Sequence, residues 1–125
     1  MEVRIFISGK PVPAARPRVP RFGKAYFPKS YQAYRELLHG EFAAFAGALT
    51  DRRYRAELHF YGARKDSDLD NLAKGVLDAA VVAGVVTDDS VQWLDELTVR
   101  WSPAPSPDRG VRVRLWASDV VDGNE

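Results

Sequence analysis

Residues 65–84 read KDSDLDNLAKGVLDAAVVAG, and the place where this stretch changes period decides the fold. Asp66, Asp68 and Asp70 stand at every second position, which in an extended segment points their carboxylates to one side. The spacing then becomes helical. Leu72, Val76, Ala79, Ala80 and Ala83 share one face of a helix, and Asp70, Lys74 and Asp78 form a stripe nearly opposite. The pattern predicts a helix over about Asn71–Ala83, with Asp70 as N-cap and Gly84 as the stop. Leu77, Val81 and Val82 fall outside the main apolar face, so the helix end is expected to be covered twice, by the core and by a second subunit.

Upstream, Tyr54, Ala56, Leu58 and Phe60 alternate with Arg53, Arg55, Glu57 and His59. That is the period of a strand buried on one face, and it runs straight toward the aspartates. Before it, Tyr34, Leu38, Phe42, Phe45 and Leu49 recur at steps of three and four, so a helix is expected from a Ser30 cap to about Thr50, weakened by Gly40 and Gly47. Val3, Ile5 and Ile7 mark a first strand. Between that strand and the helix lies GKPVPAARPRVPRFGKAYFP, residues 9–28, whose five prolines exclude a helix or a central strand. A loop of this length inside a compact domain is usually functional or disordered. After the TDDS turn, Leu97, Val99 and Trp101 predict a third strand, and SPAPSPDRG connects it to a fourth through Val111, Val113 and Leu115.

At 125 residues the chain suits one domain with a real core. There are no cysteines, which excludes disulfides, thiolate catalysis and cysteine-bound zinc. No run reaches the roughly 20 apolar residues of a membrane helix, and MEVRIFISGK lacks the basic start and long apolar core of a secretory signal. A soluble, cytoplasmic protein is expected. The net charge of +1 hides a division along the chain. From Val3 to Arg35 there are eight bases and no acid; from Asp66 to Glu96 there are eight acids and one base, Lys74. Such a split suggests an anionic ligand for one part and cations for the other. The plainer alternative is that the two segments neutralise each other across the fold.

Asp66, Asp68 and Asp70, with Asp88 and Asp89 returning after one helix and a turn, offer oxygen-only ligation suited to magnesium or manganese. Asp-rich turns and caps are more often simply solvated. An EF-hand loop would also use the first three aspartates, but its sixth position would be Asn71 rather than glycine and its twelfth Leu77 rather than glutamate. Lys74, one turn from Asp70 and from Asp78, fits either an exposed ion pair or a group that holds a phosphate oxygen. His39 and His59 have no metal-ligand spacing, and Trp93, Trp101 and Trp116 read as core or interface. For Phe22, Tyr26 and Phe27 the expectation is packing of the loop onto the core, with stacking on opened bases as the alternative.

The series DLDNLAK, GVLDA and GVVTDDSV, with GKPVP, RPR and YFP near the N-terminus, resembles the RusA family of Holliday junction resolvases over about Ile7 to Trp101. Ala14 and Ala15 depart from the lysine or glycine expected there. The resemblance implies an α/β (α+β type) fold, a four-stranded mixed sheet with two flanking helices in a homodimer, with residues 1–118 as one domain and 119–125 as a disordered tail. It implies a magnesium-dependent endodeoxyribonuclease, with Mn2+ able to substitute and no further small-molecule cofactor, that resolves four-way junctions by paired nicks in recombination and repair. The catalytic residues it implies are Asp68, Asp70, Lys74 and Asp89, the metal ligands Asp68, Asp70, Asp88 and Asp89. Asp78 falls on a buried or structural aspartate, and Asp66 on no catalytic position. Lys10, Arg16, Arg18, Arg21, Lys24 and Lys29 would neutralise the phosphates of branched DNA. A nucleoid-associated protein of chromosomal, phage or prophage origin is the corresponding setting. The competing functions are a non-catalytic binder of branched DNA and a metal-dependent nucleotide phosphohydrolase.

Overall fold

Alternation of apolar and polar residues yields the four expected strands in the computed structural model, which describes residues 2–104 and 108–119. In chain order they are β1 (Glu2–Ser8), β2 (Tyr54–Tyr61), β3 (Leu94–Ser102) and β4 (Gly110–Ala117), with helices α1 (Lys29–Phe42) and α2 (Leu69–Val82). The sheet runs β1-β4-β2-β3. β4 is antiparallel to both β1 and β2, whereas β2 and β3 are parallel. A parallel pair needs a long crossover, and α2 supplies it. The fold is therefore α+β with a mixed four-stranded sheet and two helices, as expected.

One face of the sheet carries the core. Tyr54, Ala56, Leu58 and Phe60 of β2 and Val111, Val113 and Leu115 of β4 are buried against Leu38 and Phe42 of α1 and Leu72 and Val76 of α2. The opposite face stays open. On it, His59 stacks on Tyr61 with ring centroids 4.2 Å apart, Arg114 lies 4.2 Å over Trp116, and Phe6 remains 43% exposed. β3 is an edge strand, so of its apolar residues only Leu94 is buried, while Leu97 and Trp101 keep part of their surface. The indole N–H of Trp101 donates to the Ala63 carbonyl at 3.1 Å.

Both helices depart from their expected limits. α1 starts two residues early, with Pro28 rather than Ser30 at the N-cap, and stops at Phe42 before a 3-10 turn over Ala43–Phe45. Gly47 then takes φ +85° and its N–H donates to the Gly84 carbonyl at 2.8 Å. The chain leaves the helix there to lie beside the end of α2, which is why the period continues to Leu49 although the helix does not. α2 begins at Leu69 with Asp68, not Asp70, as N-cap, because the Asp68 carbonyl already accepts the Leu72 N–H at 3.1 Å. Of the three residues at its end expected to face a second subunit, Leu77 is buried within the monomer, Val81 is half-buried and Val82 is 64% exposed. The expected tail at 119–125 lies outside the described residues except for Asp119, whose carboxylate is 3.3 Å from Arg55. Residues 105–107 of the proline-rich connection also lie outside them.

Leu38 is fully buried where α1 meets the sheet. Replacing it with alanine removes the contact and leaves a void, so Leu38→Ala is expected to cost about 2–5 kcal/mol of unfolding free energy, measured by urea denaturation. A loss well under 1 kcal/mol would mean that α1 does not close the core.

Candidate active site

The acidic residues sit on two pieces of backbone that the fold brings to one side. The first is the start of α2. Asp68 occupies the cap position with φ −76° and ψ 128°, but its side chain makes no capping bond; the Asn71 side-chain amide donates to it at 3.5 Å. Asp70 lies in the first turn and accepts the Asn71 backbone N–H at 2.9 Å. Negative charge in a first turn is stabilised by the positive end of the helix dipole, which offsets part of the repulsion between the neighbours. Asp66 is spent elsewhere: Arg64 holds it through two bonds of 3.0 and 2.9 Å.

The second piece is the turn between α2 and β3. Leu49 donates to Val85 at 2.9 Å, Asp51 donates to the Thr87 hydroxyl at 2.7 Å, and the buried Tyr54 donates from its hydroxyl to the Asp88 carbonyl at 3.0 Å. Three backbone carbonyls of the turn, counting that of Gly84, and the Thr87 hydroxyl are thus tied to the segment from Gly47 to Tyr54. Burial, and then the charges of Asp89 and Asp88, raise the pKa of Tyr54, which keeps its proton available for that bond.

Electrostatics join the two pieces through Lys74 and Asp78. These two form an exposed i,i+4 pair at 3.5 Å. Partial burial raises the pKa of Asp89, the charges of Asp78 and Asp88 raise it further, and Lys74 pulls it back. Asp88 moves the other way, lowered first by the Asp89 backbone N–H and then by the Ser90 hydroxyl. Asp78 is therefore part of this acidic pocket. The resemblance implied a buried or structural aspartate here; with a side chain 43% exposed and paired with Lys74, Asp78 is not buried. Its position four residues after Lys74 on one stripe was the available signal. Asp68 and Asp70 do not enter the balance at Asp89, since Asp70 stands two turns, about 12 Å along the axis, from Asp78. Among the described residues no three His, Asp or Glu side chains come close enough together to hold a metal ion by themselves.

The basic loop is more ordered than its prolines suggest. Arg18 and Tyr26 form an isolated antiparallel bridge, with backbone bonds of 2.5 and 2.8 Å. They make a finger that presents Arg18, Arg21 and Lys24. At its tip Phe22 is 83% exposed, with Arg21 5.7 Å from its ring, so Phe22 does not pack on the core as expected. Phe27 does, edge-on to Tyr31 at 5.2 Å, while Tyr26 is half exposed. Lys29 opens α1, and Lys10 lies at the far end of the loop, near Arg64 and Trp101. His59 is held by the Ser102 hydroxyl and Tyr61 on the open face, away from the acids. A hollow of about 600 Å³ on that face, between Arg4, Phe6, His59 and Arg112, contains none of the aspartates.

The charge division persists in three dimensions. Asp95 and Glu96 neutralise Arg53 and Arg55 at 3.5 to 3.8 Å, and Arg4 and Arg114 pair with Glu2. Among the described residues, no base of the 3–35 run pairs with an acid of the 66–96 run. Mutual neutralisation, the plainer alternative, does not occur.

The sequence profile described as Endodeoxyribonuclease RusA matches residues 8–115. This chain belongs to the RusA family. No curated protein matches it closely enough to add to that assignment. RusA proteins are endodeoxyribonucleases, and in this member the acidic pocket and the basic finger are the two features that such an activity can use.

The raised pKa of Asp89 has a measurable consequence without any ligand. Its ionised form is disfavoured in the folded state, so folding is penalised at neutral pH and relieved as pH falls through the raised folded value toward 3.8, the ordinary value. Asp89→Asn should therefore melt at a higher temperature than the unaltered protein at pH 7 in EDTA, with the gap closing near pH 4. Equal melting at pH 7 would show that Asp89 carries no such penalty.

Proposed function

We propose that this protein is a structure-selective, magnesium-dependent endodeoxyribonuclease that resolves four-way junctions as a homodimer, in DNA recombination and repair. The observation that carries this reading is the unneutralised separation of charge: a basic loop free to meet phosphates beside an acidic pocket free to meet a cation. Family membership supplies the reaction class. A two-fold protein suits a substrate with near two-fold symmetry, because two identical sites then face equivalent strands.

The donor set fits magnesium. Every candidate ligand is a carboxylate, and magnesium commonly keeps several waters and takes one or two carboxylates together with substrate phosphates, so a preformed three-residue cage is not required. Asp68, Asp70, Asp88 and Asp89 are the residues that would hold it, and manganese is the expected substitute. When bound, the ion supplies Lewis acidity at the phosphodiester and an ionisable water. Lys74 places a positive charge between Asp70 and Asp78, where it can take a phosphate oxygen and stabilise charge developing on it. The finger, with Arg16, Arg18, Arg21 and Lys24, and the flanking Lys10 and Lys29, neutralises the backbone on either side, and Phe22 at its tip is placed to stack on an unpaired base. Among the described residues no helix is long and apolar enough to cross a membrane; the site of action is the compartment that holds the DNA, chromosomal or phage.

A synthetic four-way junction with magnesium should receive paired symmetric nicks. Asp70→Asn and Lys74→Ala should each cut at least about 10²-fold more slowly, and Asp70→Asn should bind the junction in EDTA within about threefold of the unaltered protein. Unchanged cutting by Asp70→Asn would refute the reading, and binding without cutting by the unaltered protein would favour the non-catalytic binder. Turnover of free nucleotides without need of Arg16 or Arg18 would favour the phosphohydrolase.

A second measurement avoids activity. Magnesium alone should raise the melting temperature of the unaltered protein more than that of Asp89→Asn, since an ion that binds only the folded state stabilises it. An equal rise in both would remove Asp89 from the ligand set. Light scattering should give twice the monomer mass.

A further inference from the structure

The basic loop is fastened to α2 by the Ala14 N–H, which donates to the Asn71 carbonyl at 3.0 Å. Next to this bond Gly75 forms the floor of a groove; a Cβ there would already touch the Tyr31 ring at 3.7 Å and Ala14 at 3.9 Å. The groove holds about 250 Å³ between the loop, α1 and α2, and its walls include Arg16, Phe27, Tyr31, Arg35, Lys74 and Asp78. Past Arg35 it continues into a second hollow of about 330 Å³, bounded by Tyr26, Gln32 and Glu36. Phe27, Arg35 and His39 line both. Sites for whole small ligands usually run from about 300 to 1,000 Å³. The first hollow is smaller than that and shares the Phe27, Arg35 and His39 wall with the next, an arrangement along the surface that suits a length of chain rather than a whole small ligand.

Charge selects the kind of chain. Lys74 is engaged with Asp78, but Arg16 and Arg35 pair with no carboxylate among the described residues. Arg35 is nevertheless held in place: its guanidinium lies 4.6 Å from the Phe27 ring centroid and 5.9 Å from that of Tyr31. Stacking uses the flat face of a guanidinium and leaves its N–H edge for an anion. Arg35 was not among the bases expected from the sequence to bind DNA, because it lies within α1 rather than in the proline-rich loop.

We propose that this groove is a phosphodiester subsite for the stretch of DNA strand adjoining the cleaved bond, with Arg35, pre-positioned by Phe27 and Tyr31, and Arg16 holding its phosphates. The proposal rests on the nuclease reading and adds a strand path to it, from Lys74 at the acidic pocket across Gly75 to Arg35.

The test is junction binding in EDTA over a series of KCl concentrations. Arg35→Gln should bind about tenfold more weakly at low salt, and the slope of log affinity against log salt should become shallower by about one. A purely structural role would not change that slope. Arg35→Lys should keep the slope and recover only part of the affinity, since it retains the charge and loses the stacked fork. Arg16→Gln, on the loop and away from the core, should show the same change in slope and serves if Arg35→Gln melts early. If the unaltered protein binds and cuts the junction while Arg35→Gln and Arg16→Gln keep its salt slope, the subsite falls and the nuclease reading stands. If the unaltered protein neither binds nor cuts, both fall together.

Discussion

Asp88 and Asp89 are held against α2 by an arrangement of backbone that owes nothing to their charge. The segment from Gly47 to Tyr54 donates in turn to Gly84, Val85, Thr87 and Asp88, and Tyr54, the first residue of β2, is itself buried. Burial first, and then repulsion from Asp78 and Asp88, raise the pKa of Asp89. Left to electrostatics alone, the turn would move away from the helix. Neutral hydrogen bonds and a buried tyrosine keep it there, so the pocket exists before any cation arrives.

The same division of labour explains the charges that are neutralised and those that are not. Arg53 and Arg55 meet Asp95 at the entrance of β2 and β3, where partial burial makes an unmatched charge costly. Asp66, fully in solvent, is matched by Arg64 two residues away. Among the described residues that have no ion-pair partner, Asp68 and Asp70 stand at the start of α2, Asp88 and Asp89 in the turn before β3, and Arg16, Arg18, Arg21, Lys24 and Arg35 on the loop and the groove.

Much of this was legible in the sequence, for reasons that can be named. β1, β2 and β4 alternate because one face of the sheet is buried and the other open, β3 less so because it is an edge strand, and the helices carry a continuous apolar stripe because both pack on that buried face. The helix ends were not legible. Ser30 and Asp70 are both good capping residues, yet Pro28 and Asp68 hold the positions, since the cap is fixed by where the incoming chain becomes extended rather than by side-chain preference alone. Within the site, Lys74 and the two aspartate groups followed from motif spacing. Asp78 lay on the same stripe as Lys74, but its place beside a turn eleven residues further on was not legible, because helical periodicity does not report where that turn folds back. The finger was hidden for a similar reason: prolines forbid regular strands, but one bridge between Arg18 and Tyr26 is enough to shape a loop.

Arg35 shows how an aromatic residue can act on a substrate it does not bind. An arginine on a helix surface samples many rotamers, and fixing it on a phosphate costs conformational entropy. Here Phe27 and Tyr31 fix it beforehand: Tyr31 is buried one helical turn earlier, Phe27 stands edge-on to it, and the guanidinium rests over Phe27. Phe27 in turn is placed by the proline that ends the loop and starts α1, and the Gln32 side-chain amide donates to its carbonyl. The loop and the helix therefore form one unit. Its outer part, with Phe22 exposed, is free to adapt to the shape of branched DNA, and its inner part, anchored through Ala14 to Asn71, is fixed relative to the aspartates.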